Sequence, residues 1–262
     1  MSAYRRPWLA GLALLAAAAG ADAQTRPLQT EEAFTATRGA LVLEAGVEAI
    51  RAEPNFVTGL ERDRWAGPVM RLVHSPSDNV EIDLEWTARV GQRDDPAFGT
   101  VSDWGDVALR AKVRLAEEGR GRPALAARFG VTLPQTSFGN GLGPNALRMS
   151  AQVLLSKSAG SFLLHGNVGL ALHDEVLRPH EQRDFLAYGV ALARGVGRAV
   201  SLVAEWAGLA GRGSPGADAH AELRGGLRFG AGRLRGDVAV RRGLLAADGT
   251  WGLTVGLSAR LR

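Results

Sequence analysis

The chain has 262 residues, no cysteine and a formal charge of +4. The missing cysteines exclude a disulfide framework, a thiolate metal site and a Cys nucleophile. Acids and bases are interleaved and form no basic tail or aromatic–basic motif, so nucleic acid is not an expected partner.

Residues 1–23 have the layout of a secretory signal peptide: Arg5 and Arg6, an apolar run from Leu9 to Ala19, then Ala21-Asp22-Ala23. Cleavage after Ala23 is predicted, and with it export. Beyond this point no apolar run approaches ~20 residues, so no transmembrane helix is expected. Residues 24–38 are polar and irregular and are assigned as a periplasmic or luminal N-terminal segment, with residues 39–262 as a single β domain.

From Leu41 onward the dominant pattern is a period of two, which places alternate side chains on opposite faces of a strand. Leu41, Leu43, Ala45, Val47 and Ala49 oppose Glu44, Gly46 and Glu48. After a polar stretch, Met70 and Leu72 flank Arg71 in a weaker strand. The clearest case is Val80–Val90, where Val, Ile, Leu, Trp, Ala and Val alternate with Glu81, Asp83, Glu85, Thr87 and Arg89. A long polar loop is predicted over Gly91–Gly105. Further alternating runs follow near 107–115, 125–133, 147–155, 164–172, 186–192, 200–206, 219–229, 234–240 and 251–261.

That makes about twelve strands, whose connections alternate long and short. The pattern predicts an all-β fold, a closed antiparallel transmembrane β-barrel with elaborate loops at one end and tight turns at the other. Trp65, Trp86, Trp104, Trp206 and Trp251 all map to the long-loop end, as an aromatic girdle at a lipid interface would. A secreted sandwich or lipocalin-like barrel predicts the same alternation but neither the loop rhythm nor the sorted tryptophans.

Several segments resemble the outer-membrane family named for the meta-pathway of phenol degradation. They are Arg26-Pro27-Leu28-Gln29-Thr30-Glu31-Glu32-Ala33 with Leu43-Glu44-Ala45-Gly46, then Gly105-Asp106-Val107-Ala108-Leu109-Arg110-Ala111-Lys112. Val131-Thr132-Leu133-Pro134 with Gly141-Leu142-Gly143, Gly166-Asn167-Val168-Gly169-Leu170, and Val203-Ala204-Glu205 follow in the same order. The resemblance implies a barrel acting as a transporter-like protein for aromatic or other hydrophobic compounds, without catalytic residues to carry over. The chain departs from the usual C-terminal Phe of such barrels, ending Leu261-Arg262.

The polar faces supply the candidate lumen-lining residues. Glu44, Glu48, Glu81, Asp83 and Glu85 come from the first and third predicted strands, and Arg110, Lys112, Arg114, Arg128 and Arg148 from the fourth to sixth. Two arrangements are open: opposed acidic and basic walls that orient a solute, or cross-paired ladders that brace or close the lumen. Ala187, Gly189, Ala191 and Ala193, with Val203 and Ala207, present small side chains where other strands present charge. They leave room for a greasy path or for residues 24–38 folded in as a plug, unless they only relieve crowding at tight curvature.

Glu205, His220 and Glu222 could form a carboxylate–His pair, which orients a general base or a metal in some proteins and is more often a luminal polar contact. No G-x-S-x-G context occurs, so no enzyme, cofactor or metal is expected. The expected function is a passive channel for small hydrophobic or aromatic compounds. A closed structural barrel is the alternative, with an outer-membrane hydrolase third. Expected partners are outer-membrane lipid, the barrel-assembly machinery and a small solute that the sequence does not identify.

Overall fold

The computed structural model describes residues 26–178, 180–197 and 199–262. The predicted signal peptide lies outside the described residues. Alternation becomes strand throughout: β1 (Leu41–Pro54), β2 (Glu61–Ser77), β3 (Val80–Thr87), β4 (Val90–Asp95), β5 (Gly99–Asp103), β6 (Val107–Ala116) and β7 (Ala124–Leu133). They are followed by β8 (Arg148–Ala159), β9 (Phe162–Asp174), β10 (Gln182–Gly195), β11 (Val200–Ala210), β12 (His220–Ala231), β13 (Leu234–Gly243) and β14 (Trp251–Arg260). One 3-10 turn, Ala246–Asp248, precedes β14.

Twelve of these strands form a closed antiparallel circuit, in which each pairs with its neighbours and β1 joins both β2 and β14. Closure runs from Val42↔Arg260 to Arg51↔Trp251. With the circuit closed, each of its twelve strands is paired on both edges, as backbone in a lipid phase demands. The short turns, the start of β1 and the C-terminal residues lie at one end of the barrel, and the long loops lie at the other.

Three features depart from the sequence reading. The predicted loop over Gly91–Gly105 contains the hairpin β4–β5, which stands outside the circuit with β4 paired to the upper end of β2, Asp63↔Arg93 to Ala66↔Val90. The strands β1 and β2 reach well beyond their apolar runs, because their polar upper ends rise into the loop region. There β2 bends at Gly67-Pro68, where register with β1 shifts between Gly46 and Glu48. The Val80–Val90 run is also two pieces: β3 ends at Thr87, Arg89 points outward, and Val90 opens β4 as a buried residue.

The faces are inverted relative to a soluble barrel. Val47, Leu84, Leu109, Phe129, Val168, Val190, Leu202, Leu223 and Val255 are exposed on the outer surface, while Glu44, Glu81, Asp83, Lys112, Glu205, Arg224 and Asp237 are buried inside. A continuous apolar exterior of this extent is not tolerated in water and matches a lipid-facing belt, which excludes the lipocalin-like alternative. At the long-loop end, Trp86 and Trp104 stack at 6.2 Å, Trp206 packs on Tyr188 at 5.1 Å, and Trp251 is exposed. Trp65 is half-buried, its indole lying across Gly91 of β4.

Candidate functional site: the lumen and its N-terminal segment

The segment Arg26–Arg38 enters the barrel from the short-turn end and fills the lumen to about mid-height. It is held chiefly through its main chain. The buried Glu205 carboxylate accepts from the amides of Gln29 (2.9 Å) and Thr30 (2.5 Å), Ser156 Oγ from Ala33 N (2.7 Å), and Glu81 from Ala36 N (2.6 Å). In the other direction Arg228 donates to the Arg26 carbonyl and Arg224 to the Pro27 carbonyl, both at 2.7 Å. The Asn167 amide, oriented by its partners, brackets the Glu31 main chain at 2.7 and 2.9 Å. An irregular segment has no ladder for these groups, and the wall residues supply one.

Its side chains fit the small-residue face. Leu28 packs on Ala191, Ala193 and Val203, and a Cβ on Gly189 would meet Thr30 Oγ1 at 2.5 Å. On the opposite wall, Gly46 and Gly256 face each other across β1 and β14, and side chains there would collide with the Arg26 guanidinium. Arg26 then reaches Asp237 at 3.6 Å. The greasy-path and crowding explanations for Ala187–Ala193 and Val203 give way to the plug over the lower half; Ala187 and Ala207 remain on the cavity above it.

The acidic and basic residues do not form opposed walls. Because β3 pairs directly with β6, Glu81 lies opposite Lys112 and Asp83 opposite Arg110, so the charges meet as neighbours. Lys112 bonds Glu81, Arg110 bonds Asp83 (3.1 Å) and Glu85 (2.9 Å), and Asp83 also takes Arg71 (3.1 Å) and Arg128 (3.3 Å). Glu31 of the N-terminal segment bridges Arg71 (3.0 Å) and Arg128 (2.9 Å). Glu44 lies 3.7 Å from Arg71. A second cluster joins Arg224 to Glu48 and Glu222, and Arg241 to Glu222. Arg148 pairs with Asp106 near the upper mouth, whereas Arg114 sits at the short-turn rim with Glu117 and Asn79.

The predicted His220–Glu222–Glu205 grouping does not form. His220 Nδ1 meets Asp248 Oδ1 at 2.8 Å, and Asp248 also accepts the amides of Ala221 and Leu245, which makes the pair a loop anchor. Among the described residues there is no cluster of His, Cys, Asp or Glu fit to hold a metal ion. Sequence reasoning passed over Ser156 and His165, which are hydrogen-bonded at 2.8 Å beneath Ala33 and Phe34. Their inward positions on adjacent strands were the available signal.

Above the segment lies a cavity of about 680 Å³, floored by Arg26–Glu31 and roofed by Thr136 and Leu142–Pro144. One side carries Arg64, Arg110 and Arg148; another carries Ala171, Ala187, Ala207 and Leu209. Three outer segments meet over it. Buried Asn55 donates to Asp95 Oδ2 (2.8 Å) and to the Asn140 carbonyl (3.1 Å), and Phe56 packs on Phe138 at 5.5 Å.

Two adjacent carboxyls give docking of the segment a pH dependence. For Glu31, burial pushes upward, but Arg128, Arg71 and Lys112 outweigh it and hold the group at about 2. For Glu32, burial pushes the carboxyl up to about 8; Lys112 and Arg228 offset this only partly, and Glu81 and Glu31 add to it. The docked segment therefore keeps a Glu32 proton that the free segment releases. Docking from this group is strongest below its ordinary 4.5, weakens from there to about 8, and is constant above. Glu31 has the opposite sign, its contribution complete above 4.5 and lost as pH falls toward 2. Protease accessibility of the segment should be lower near pH ~5 than near pH ~8.5, with Glu32→Gln removing the difference; an unchanged slope in that variant would assign the effect elsewhere.

No protein-family model matches the chain, and no curated protein matches it. Solved structures do. The COG4313 outer membrane channel from Pseudomonas putida F1 aligns over 87% of this chain and 97% of its own, with a TM-score of 0.65 at 16% identity. The fold is that of outer-membrane β-barrels. The translocator domain of autotransporter NalP from Neisseria meningitidis aligns over 85% of this chain and 89% of its own (TM-score 0.51, 11% identity). The β domain of the Bordetella autotransporter BrkA aligns over 86% and 100% (TM-score 0.50, 14% identity). At these identities the likeness concerns the fold alone.

Proposed function

We propose that this protein is a bacterial outer-membrane channel for small solutes, kept closed by its own N-terminal segment. The observation that carries the reading is the cavity of about 680 Å³ with residues 26–38 lying, among the described residues, between it and the short-turn end, in a segment that no strand pairing holds in place. A wall laid down as a continuous sheet and a filling attached by side chains can part without unfolding the barrel. The apolar outer belt supports residence in the outer membrane, and the Pseudomonas protein of like fold is described as a channel.

The cavity and the family resemblance together support a solute class. Ala171, Ala187, Ala207 and Leu142 offer a surface for a small apolar or aromatic body, and the arginines offer stacking and hydrogen bonds to a polar substituent. The ion-pair clusters favour a second reading, a permanently closed structural barrel. Planar-bilayer recording of the mature protein separates the two. Discrete openings, reduced in the presence of small aromatic solutes, are expected of the channel. Absence of current at every voltage and pH would leave the structural barrel.

A further inference from the structure

The charges outside the lumen are unevenly divided between the two ends. Among the described residues, the short-turn end carries ten Lys or Arg side chains and only Asp78, Glu117 and Glu118 as acids. At the long-loop end acids slightly outnumber bases. The three acids at the short-turn end are already engaged: Glu117 with Arg114, Glu118 with Lys157 and Ser158, and Asp78 with the amide of Arg38. Six arginines there are exposed, namely Arg38, Arg120, Arg122, Arg194, Arg233 and Arg262, and among the described residues none of their side chains is in an ion pair.

Their height is set by the strands that carry them. Arg194 continues the outer face of β10 after Val190 and Leu192, and its guanidinium lies 5.1 Å over the ring of Phe162, the first residue of β9. Phe162, Leu164, Leu202, Phe229 and Leu234 are exposed apolar residues at the same end. An aromatic ring at the edge of an apolar belt marks the headgroup level, and long basic side chains there place their charge among the headgroups. Short turns and chain ends of such barrels face the periplasm, so this level is the phospholipid leaflet.

We infer that the short-turn rim is a basic collar that binds the anionic headgroups of phospholipids in the periplasmic leaflet, with phosphatidylglycerol as the representative ligand. The collar orients the barrel and fixes its depth, because guanidinium and phosphate pair strongly where the surrounding dielectric is low. The inference depends on membrane insertion and not on transport.

The test uses the mature barrel reconstituted in phosphatidylcholine vesicles containing a trace of spin-labelled phosphatidylglycerol or spin-labelled phosphatidylcholine. The motionally restricted fraction reports each lipid's association with the barrel surface. Phosphatidylglycerol should be favoured several-fold, and the preference should fall with salt as a surface interaction does. It should approach parity when Arg120, Arg122, Arg194 and Arg233 are changed to Gln, and stay intact when Arg51 and Arg93 at the other end are changed instead. All variants are first shown to keep heat-modifiable migration, the sign of a folded barrel. Equal association of the two lipids with the native protein, or a preference untouched by the fourfold change, overturns the inference. Displacement by inorganic phosphate beyond that by chloride of equal ionic strength overturns it too, since it reports a site for the free ion.

Discussion

Removing residues 26–38 should convert the closed barrel into a steadily conducting one. The segment fills the lower lumen, where Leu28, Ala33 and Ala36 are almost fully buried against wall residues. The barrel itself should survive, because all twelve strand pairings are made without it. With the segment gone, Glu205 keeps only Arg224, at 3.9 Å, Asp237 loses Arg26, and Arg71, Arg128 and Arg228 each lose contacts, yet acidic and basic groups stay nearly balanced on the wall. Bilayer recordings should therefore show a large rise in open time with only weak ion selectivity. Glu205→Ala tests the same anchoring more gently. It removes the acceptor of two main-chain amides and leaves them in a buried site, at a cost of about 3 kcal/mol in docking. Spontaneous openings should become much more frequent. If the deletion conducts no better than the intact protein, residues 26–38 are not the barrier, and the outer loops roofed over Asn55 become the candidate.

The strands were legible because lipid and lumen impose opposite polarity on alternate residues, and that rule is local. Val80–Thr87 could be assigned to two faces from its own residues. What lies opposite each residue was harder to read. The loop predicted over Gly91–Gly105 already makes the third and fourth runs neighbours, but alternation leaves their register open, and it is the register that sets Glu81 opposite Lys112 and Asp83 opposite Arg110. Hairpin β4–β5 itself is polar on both sides, since it stands in water and packs on the upper end of β2. It therefore offers no alternation to detect. The N-terminal segment was legible only as one of three alternatives, for a different reason. Its own composition is that of an irregular linker, and its place is written in the wall: small residues at Gly189, Ala191 and Ala193, and amide acceptors at Glu205, Ser156 and Glu81. His220 illustrates the converse, since its neighbour in sequence, Glu222, is taken by two arginines, and its true partner Asp248 comes from a loop.

Asp83→Ala should be the most destabilising single change in the wall. Its carboxylate, 3% exposed, sits among Arg71, Arg110 and Arg128, each within 3.3 Å. Removing one member of a buried cluster typically costs about 3–5 kcal/mol, because the cations left behind remain desolvated. The upper side of this cluster borders the cavity, where water can enter, so the lower end of that range is expected. Arg110 keeps Glu85 and Arg71 keeps Glu44, but Arg128 is left with Glu31 of the N-terminal segment. Urea unfolding of the vesicle-inserted barrel, followed by tryptophan fluorescence, measures the loss. Asp83→Asn, which retains an acceptor without the charge, should fall between. Repeating Asp83→Ala in the barrel lacking residues 26–38 then separates two roles. If Asp83 braces the wall, the loss should grow, because Arg128 has no carboxylate left in reach. If Asp83 serves only to position the arginines for Glu31, the two changes should be far from additive and the loss should nearly vanish.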